Sequence, residues 1–132
     1  MDMNRDLIQS YIRKLTLGAG AAASDPFADI ALFDNDIHTM KTVAEQAGDL
    51  EWLRLSMDAL IASPKGRIGR FVEQGYPYSE DEMVTLFTYA YQKIWPDHDI
   101  SAPGEEAALN FVDMSAETWQ TIKTPPDSDD LF

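Results

Sequence analysis

The chain contains no cysteine among its 132 residues and only two histidines, His38 and His98. The absence of cysteine excludes disulfide bonds, thiol nucleophiles and cysteine-ligated zinc, so the core must hold without crosslinks. A chain of this length suits a single domain that buries roughly two-thirds of its extended surface. Because 45% of the residues are hydrophobic and 14 are aromatic, the composition favours an ordered core over disorder.

Long apolar runs and catalytic motifs are also missing. No run approaches the roughly 20 apolar residues of a membrane-spanning helix, and residues 1–10 lack the charged and apolar blocks of a signal peptide. The chain has no glycine-rich phosphate loop of the required spacing, and two histidines offer few bases to activate a serine or threonine nucleophile. We therefore expect a cytoplasmic, non-enzymatic protein with no membrane contact, no cofactor, no catalytic residues and no metal site.

Basic residues are scarce in the second half of the chain. Residues 71–132 contain 13 acidic residues and only Lys93 and Lys123, a net charge of −11, whereas residues 1–70 have a net charge of −2. Direct binding of nucleic acid is disfavoured, because phosphate contacts need lysine and arginine. The acidic field instead favours fast encounter with a basic protein surface. The alternative is that the charge serves solubility alone.

The first half of the chain has apolar residues at helical spacing. The stripe in residues 7–15 predicts a helix that Gly18 can end. Asp25-Pro26 resembles a cap followed by proline in a first turn, and the apolar seam of residues 30–47 predicts the helix that follows. These patterns predict two packed helices before residue 48.

A third helix is predicted immediately after the second. Gly48 stops the preceding helix, and Asp49 is placed to cap a helix whose apolar pattern runs to Ser63-Pro64. The short link between the two helices predicts an antiparallel hairpin. Residues 65–74 are interpreted as a loop leading into a short helix.

The best-marked helix begins after Ser79, which forms a capping-box pattern with Glu82. This helix is predicted to cover residues 80–95 and to end at Trp95-Pro96. At 100° per residue, one broad face of the helix is apolar and is predicted to face the core. The residues of that face are Met83, Leu86, Phe87, Ala90, Tyr91 and Ile94.

Two shorter helices are predicted near the end of the chain, over residues 105–112 and 116–123, with Ser115 able to cap the second. Alternation of strand type is scarce throughout. The sequence thus predicts an all-α, single-domain bundle of five to seven helices over residues 1–123. A flexible acidic tail over residues 124–132 is expected to follow it.

Three short patterns resemble ligand sites, and the sequence favours a simpler interpretation of each. Residues 34–45 place acids at the first, third and last positions of a calcium loop, but Thr39 stands where that loop needs glycine, so a helix is favoured. Asp97-His98-Asp99 offers metal ligands that, being adjacent, do not easily converge on one ion. Residues 65–70 offer glycines and arginines for phosphate, but a solvated turn is favoured.

A protein-binding surface is predicted in the acidic second half. Tyr89 lies opposite the core face of its helix, among acidic residues, where a tyrosine can anchor an interface through its apolar area and its hydroxyl. An ordinary surface tyrosine is the alternative. The predicted partner-binding residues are Glu73, Glu80, Asp81, Glu82, Tyr89, Asp97, Asp99, Glu105 and Glu106.

The last six residues combine acidic side chains with two apolar ones and a free carboxylate. They resemble the acidic tip of bacterial single-stranded-DNA-binding proteins, and their last three resemble the leucine–phenylalanine end of peptides that bind the bacterial sliding clamp. The resemblance implies an apolar anchor in a pocket with a basic rim. A disordered tail, or one folded back on the body, is the alternative. The predicted tail-docking residues are Asp127, Asp129, Asp130, Leu131 and Phe132.

Three functional hypotheses follow from these features. The first is a stoichiometric inhibitor that occludes a basic surface of a nucleic-acid-handling enzyme. Such an inhibitor is either an immunity protein or antitoxin, or a phage-type protein that imitates the charge of nucleic acid. The second is an accessory factor of DNA replication or repair that docks through its tail. The third is a small helical hydrolase or metal enzyme.

Overall fold

The computed structural model of the chain describes residues 2–16, 29–64, 79–106 and 109–123. Over these ranges the fold is mostly helical, as the sequence predicts, with a small parallel two-stranded sheet in addition. None of the helices in the described ranges is long and apolar enough to cross a membrane. The helices are α1 (Arg5–Thr16), α2 (Asp34–Ala47), α3 (Leu50–Ala62), α4 (Glu80–Ile94) and α5 (Ala116–Lys123), and the strands are β1 (Asp2–Asn4) and β2 (Asn110–Val112).

Helix α1 follows directly from β1 and is capped by Asn4, whose Oδ1 accepts a hydrogen bond from the Leu7 N–H at 3.2 Å. An asparagine at this position satisfies a backbone donor that has no partner within the helix. The apolar stripe predicted for this helix faces the core, with Leu7 half-buried and the other four residues fully buried. Those four residues are Ile8, Tyr11, Ile12 and Leu15.

Helix α2 begins at Asp34 after a short 3₁₀ helix, Ile30–Phe33, and ends at Gly48. Gly48 has φ 75° and ψ 20°, a left-handed conformation that glycine adopts without the clash of a Cβ atom. The predicted stop is therefore confirmed. Residues 34–45, whose acids are spaced as in a calcium loop, lie entirely within α2. The prediction of a packed helix there is therefore also confirmed.

Only Gly48 and Asp49 separate α2 from α3, and the two helices contact each other across this short link. Asp49 is the N-cap residue of α3, as the sequence predicts, but its side chain forms no capping hydrogen bond. The Asp49 carboxylate is instead buried and accepts hydrogen bonds from the Tyr11 hydroxyl at 2.7 Å and from Trp119 Nε1 at 3.1 Å. Burial, followed by the hydrogen bond to Asp49, raises the pKa of Tyr11. Asp49 thereby links α1, α5 and the α2–α3 turn.

Helix α4 has the capping box that the sequence predicts. The Glu82 N–H donates to Ser79 Oγ at 3.2 Å, and the Ser79 N–H donates to Glu82 Oε1 at 3.0 Å. All six residues of the predicted core face are buried. Each large apolar side chain among them contributes about 1.5–3 kcal/mol through its removal from water. The apolar face and the cap together explain why this segment is helical.

The prediction of a helix over residues 105–112 is wrong. Residues 110–112 form β2, which pairs in parallel with β1 so that Met3 lies opposite Phe111. Met3 is fully buried, and Arg5, the first residue of α1, pairs with Asp113 just beyond β2, with 2.8 Å between Nη2 and Oδ1. These contacts join segments 108 residues apart in the chain, which a local helical pattern does not reveal.

Helix α5 confirms the last predicted helix and its cap, since the Thr118 N–H donates to Ser115 Oγ at 3.1 Å. Trp119 is buried, and its ring meets that of Trp52 edge to face with 5.5 Å between centroids. Several predictions concern residues outside the described ranges: the stop at Gly18, the cap at Asp25-Pro26, the loop and short helix over residues 65–74, and the tail over residues 124–132.

Candidate protein-binding surface

The predicted partner-binding acids separate into two groups at opposite ends of α4. Glu80, Asp81 and Glu82 occupy its first turn, whereas Asp97, Asp99, Glu105 and Glu106 lie on the connection formed by residues 95–106, which we call the acidic loop. At 1.5 Å per residue, the two ends of α4 are about 20 Å apart. The structure therefore does not bring all of the predicted residues together. Glu73 lies outside the described residues.

The acids at the start of α4 have a role within the helix itself. Glu82 is half-buried, and its carboxylate completes the capping box with Ser79. Glu80 and Asp81 are exposed in the first turn, where negative charge is favourable beside the positive end of the helix dipole. Helix stability alone accounts for acidic residues at these positions.

The acidic loop contains four acids and no lysine or arginine. Asp97, Asp99 and Glu105 are exposed, and their carboxylates form no hydrogen bond or ion pair with any other residue that the structure describes. Glu106 is half-buried, and its Oε1 accepts a hydrogen bond from the Gly104 N–H at 2.7 Å. Three carboxylates of the predicted surface thus remain open to solvent on one connection.

A buried carboxylate on α3 holds the acidic loop in place. Asp58 is 4% exposed. Its Oδ1 accepts from the Ser101 N–H at 2.8 Å, and its Oδ2 accepts from the Ser101 hydroxyl at 2.6 Å. Sequence reasoning missed Asp58, although an acid inside the apolar run of α3 is a signal, because a buried carboxylate needs hydrogen-bond partners.

The guanidinium of Arg54 lies beneath the acidic loop and is engaged within the protein. Arg54 Nε donates to Glu51 Oε2 at 2.9 Å, and Nη1 donates to the Tyr91 hydroxyl at 3.2 Å. The Tyr91 hydroxyl in turn donates to the Asp99 carbonyl at 3.4 Å. The hydrogen bond from Arg54 lowers the pKa of Glu51, and the same pairing raises the pKa of Arg54. This cation supports the loop backbone and leaves the loop carboxylates unpaired.

A depression of about 730 Å³ lies against the acidic loop. Its lining combines a carboxylate and an imidazole with apolar walls, and the mostly buried Trp95 packs on Tyr91 with 5.0 Å between ring centroids. Such a lining suits the long side chain of a lysine or arginine, whose apolar stem and charged head need different surroundings. The lining residues are Gln92, Trp95, Pro96, His98, Asp99 and Ile100.

Metal-ligating side chains do not converge anywhere in the described part of the chain. No group of three or more histidine, cysteine, aspartate or glutamate residues is positioned to hold a metal ion there. Asp97-His98-Asp99 lies on the exposed acidic loop.

Tyr89 differs from the exposed anchor that the sequence predicts. It is half-buried, and its hydroxyl donates to Asp34 Oδ1 at 2.6 Å. Lys93 Nζ lies 5.5 Å from the centroid of its ring. The hydrogen bond to Asp34 and, next, burial raise the pKa of Tyr89 to about 12. The hydroxyl is committed to a contact between α2 and α4, so the acidic loop offers the more accessible polar groups.

The chain matches no protein-family model, no curated protein and no solved structure. The predicted tail-docking residues, Asp127 to Phe132, lie outside the described ranges, and docking through the tail stays a prediction.

Proposed function

We propose that this chain is a non-enzymatic acidic binding protein that acts as a stoichiometric inhibitor. It covers a basic surface of a partner protein, of the kind that a nucleic-acid-handling enzyme presents to phosphates. The observation that carries the proposal is that carboxylates on the acidic loop are unpaired, while the nearby arginine is paired within the protein. Asp97, Asp99 and Glu105 lack ion-pair partners among the described residues, whereas Arg54 is held by Glu51.

Two other described cations also have carboxylate partners within the protein. Arg5 pairs with Asp113, and Lys93 lies 3.9 Å from a carboxylate oxygen of Asp34. Each of these cations therefore faces a carboxylate of the chain itself, and the net charge of −13 remains. The resulting field accelerates the encounter with a basic partner over about 10 Å at 0.1 M salt.

Residence time on the partner requires buried contacts in addition to charge, because affinity differences between related complexes reside mostly in dissociation rates. The depression beside the acidic loop supplies such a contact for a lysine or arginine side chain. Asp99 meets the cationic head, while Trp95, Pro96 and Ile100 meet the stem. This combination of charge and anchoring fits an immunity protein, an antitoxin or a phage-type imitator of nucleic acid.

The test begins with identification of the partner by pull-down from the native host and mass spectrometry. Association is then measured by biolayer interferometry for the wild-type chain and for the double variant Asp97→Lys/Asp99→Lys. We expect association to slow steeply with salt, and to slow about tenfold or more in the variant, because like-charge contacts replace attractive ones. The wild-type chain should also block the activity of the partner at equimolar concentration.

The matched control is the double variant Glu45→Lys/Glu117→Lys, which makes the same change in net charge at exposed positions on α2 and α5. It should slow association much less than the loop variant. A partner whose association is indifferent to salt and to the loop reversals would contradict this function.

A further inference from the structure

A groove between α2 and α4 has more basic than acidic side chains in its lining. It encloses about 230 Å³. Its apolar surface comes from Ile37 and Ile94, which are 3% and 8% exposed. Polar side chains complete the lining, two of them lysines. The full set is Asp34, Ile37, His38, Lys41, Lys93 and Ile94.

The rim of this groove concentrates positive charge in a chain whose net charge is −13. Two lysines outnumber the single aspartate, and His38 adds an imidazole one turn from Lys41 on the same face of α2. Neither His38 nor Lys41 forms a side-chain hydrogen bond or ion pair with another residue in the described ranges. Both are available to an incoming anion.

Contacts on the other side of the groove fix its aspartate and its second lysine. Asp34 Oδ1 accepts the Tyr89 hydroxyl at 2.6 Å, and its Oδ2 lies 3.9 Å from Lys93 Nζ. Lys93 also lies over the Tyr89 ring. Asp34 thus offsets one of the two lysine charges, and Lys41 supplies the unpaired positive charge of the rim among the described residues.

The small volume limits what the groove can take. Sites for cofactors and drug-sized ligands usually enclose about 300–1,000 Å³, so this groove suits a single apolar side chain. We infer that it binds a short acidic peptide segment of a partner protein, with one apolar side chain on Ile37 and Ile94 and the flanking carboxylates against Lys41 and Lys93. A nucleic acid is a poorer match, because its phosphates require many more cations than this rim offers.

This inference is independent of the proposed function, since it uses a different surface and a partner segment of opposite charge. The groove lies between α2 and α4, whereas the inhibitor surface is the acidic loop. Reversal of the loop charges tests the inhibitor proposal and leaves the lining of the groove intact.

The probe is a synthetic hexapeptide, Asp-Ser-Asp-Asp-Leu-Phe, which has the required chemistry and the same sequence as residues 127–132. It is titrated into the isotope-labelled full chain carrying Leu131→Ser and Phe132→Ser, so that the same segment of the chain does not compete. Amide shifts should concentrate at residues 37–41 and 93–94. Lys41→Met and Lys93→Met should each weaken binding about twofold to fivefold, as expected for a solvent-exposed ion pair.

The matched control is Lys14→Met on α1, which removes the same charge at a residue outside the lining of the groove and should leave the affinity unchanged. Three results would overturn the inference. One is an absence of shifts at the groove, and another is equal binding of a peptide in which both apolar residues are serine. The third is that inorganic phosphate reproduces the peptide shifts at the same concentration, which would indicate an anion site without a peptide contact.

Discussion

The buried carboxylates of Asp49 and Asp58 and the exposed carboxylates of Asp97 and Asp99 differ in the contacts that they make. Asp49 and Asp58 are 2% and 4% exposed, and each accepts two hydrogen bonds from other segments of the chain. Asp97 and Asp99 are exposed, and their carboxylates have no such partner among the described residues. The same chemical group thus joins segments of the protein in one region and meets solvent in the other.

The difference has a simple energetic origin. A carboxylate removed from water is costly unless hydrogen bonds replace those lost to solvent. The partners of Asp49 and Asp58 are therefore a condition of the fold. An exposed carboxylate keeps its hydration at little cost, so it is free to exchange that water for the cation of a partner. Buried acids should thus govern stability, and loop acids should govern binding.

The largest loss of stability is expected when Asp49 is replaced. Asp49→Ala leaves the Tyr11 hydroxyl and Trp119 Nε1 without their acceptor in a buried site, and should lower the free energy of unfolding by about 2–5 kcal/mol. Urea denaturation followed by tryptophan fluorescence measures the change. Tyr11→Phe is the control, since it removes one donor and keeps the bond from Trp119, and it should cost less. A loss below about 1 kcal/mol in Asp49→Ala would contradict the linking role of this residue.

A smaller loss of stability is expected when Asp58 is replaced, because this residue supports a loop and not the centre of the fold. Asp58→Ala removes both hydrogen bonds to Ser101 and should lower the free energy of unfolding by about 1–3 kcal/mol. Hydrogen exchange at the Ser101 amide should accelerate. Ser101→Ala removes only the hydroxyl bond, so its amide should stay protected. Unchanged exchange in Asp58→Ala would show that other contacts hold the acidic loop.

The half-buried pair of Tyr89 and Asp34 should contribute an intermediate amount of stability, and this contribution should depend on pH. The pKa of Tyr89 is raised to about 12, above its unfolded value of about 10. The folded state therefore holds the phenol proton more tightly. The stabilisation is complete below pH 10 and is lost as the pH rises from 10 towards 12. Between pH 9 and pH 11, the free energy of unfolding should fall more for the wild-type chain than for Tyr89→Phe, as measured by denaturation. Equal falls in the two proteins would refute the raised pKa of Tyr89.

The smallest effect on stability is expected on the acidic loop. Asp97→Asn/Asp99→Asn should change the free energy of unfolding by no more than about 0.5 kcal/mol, because neither side chain has a partner to lose among the described residues. The same variant should slow association with a basic partner. Thermal denaturation and biolayer interferometry on one preparation test both statements. A marked loss of stability would remove the distinction between buried and exposed acids.

Local sequence signals determined most of the helices. The cap at Ser79, the left-handed stop at Gly48 and the cap at Ser115 depend on residues within a few positions of one another. Apolar spacing likewise predicted the buried face of α4. The excess of acid in residues 71–132 is also readable from the sequence, but its division between the start of α4 and the acidic loop required the helix bounds.

The tertiary structure alone decided the features that join distant segments. Strand β2 exists through pairing with β1, and the local pattern around it had favoured a helix. Asp49 has the residue type of a helix cap, yet Tyr11 and Trp119, 38 and 70 residues away, use its carboxylate. Tyr89 is half-buried, and Asp34, 55 residues away, accepts a hydrogen bond from its hydroxyl. The sequence by itself determined what depends on neighbours along the chain, whereas a hydrogen-bond partner that packing alone brings close leaves no local pattern to read.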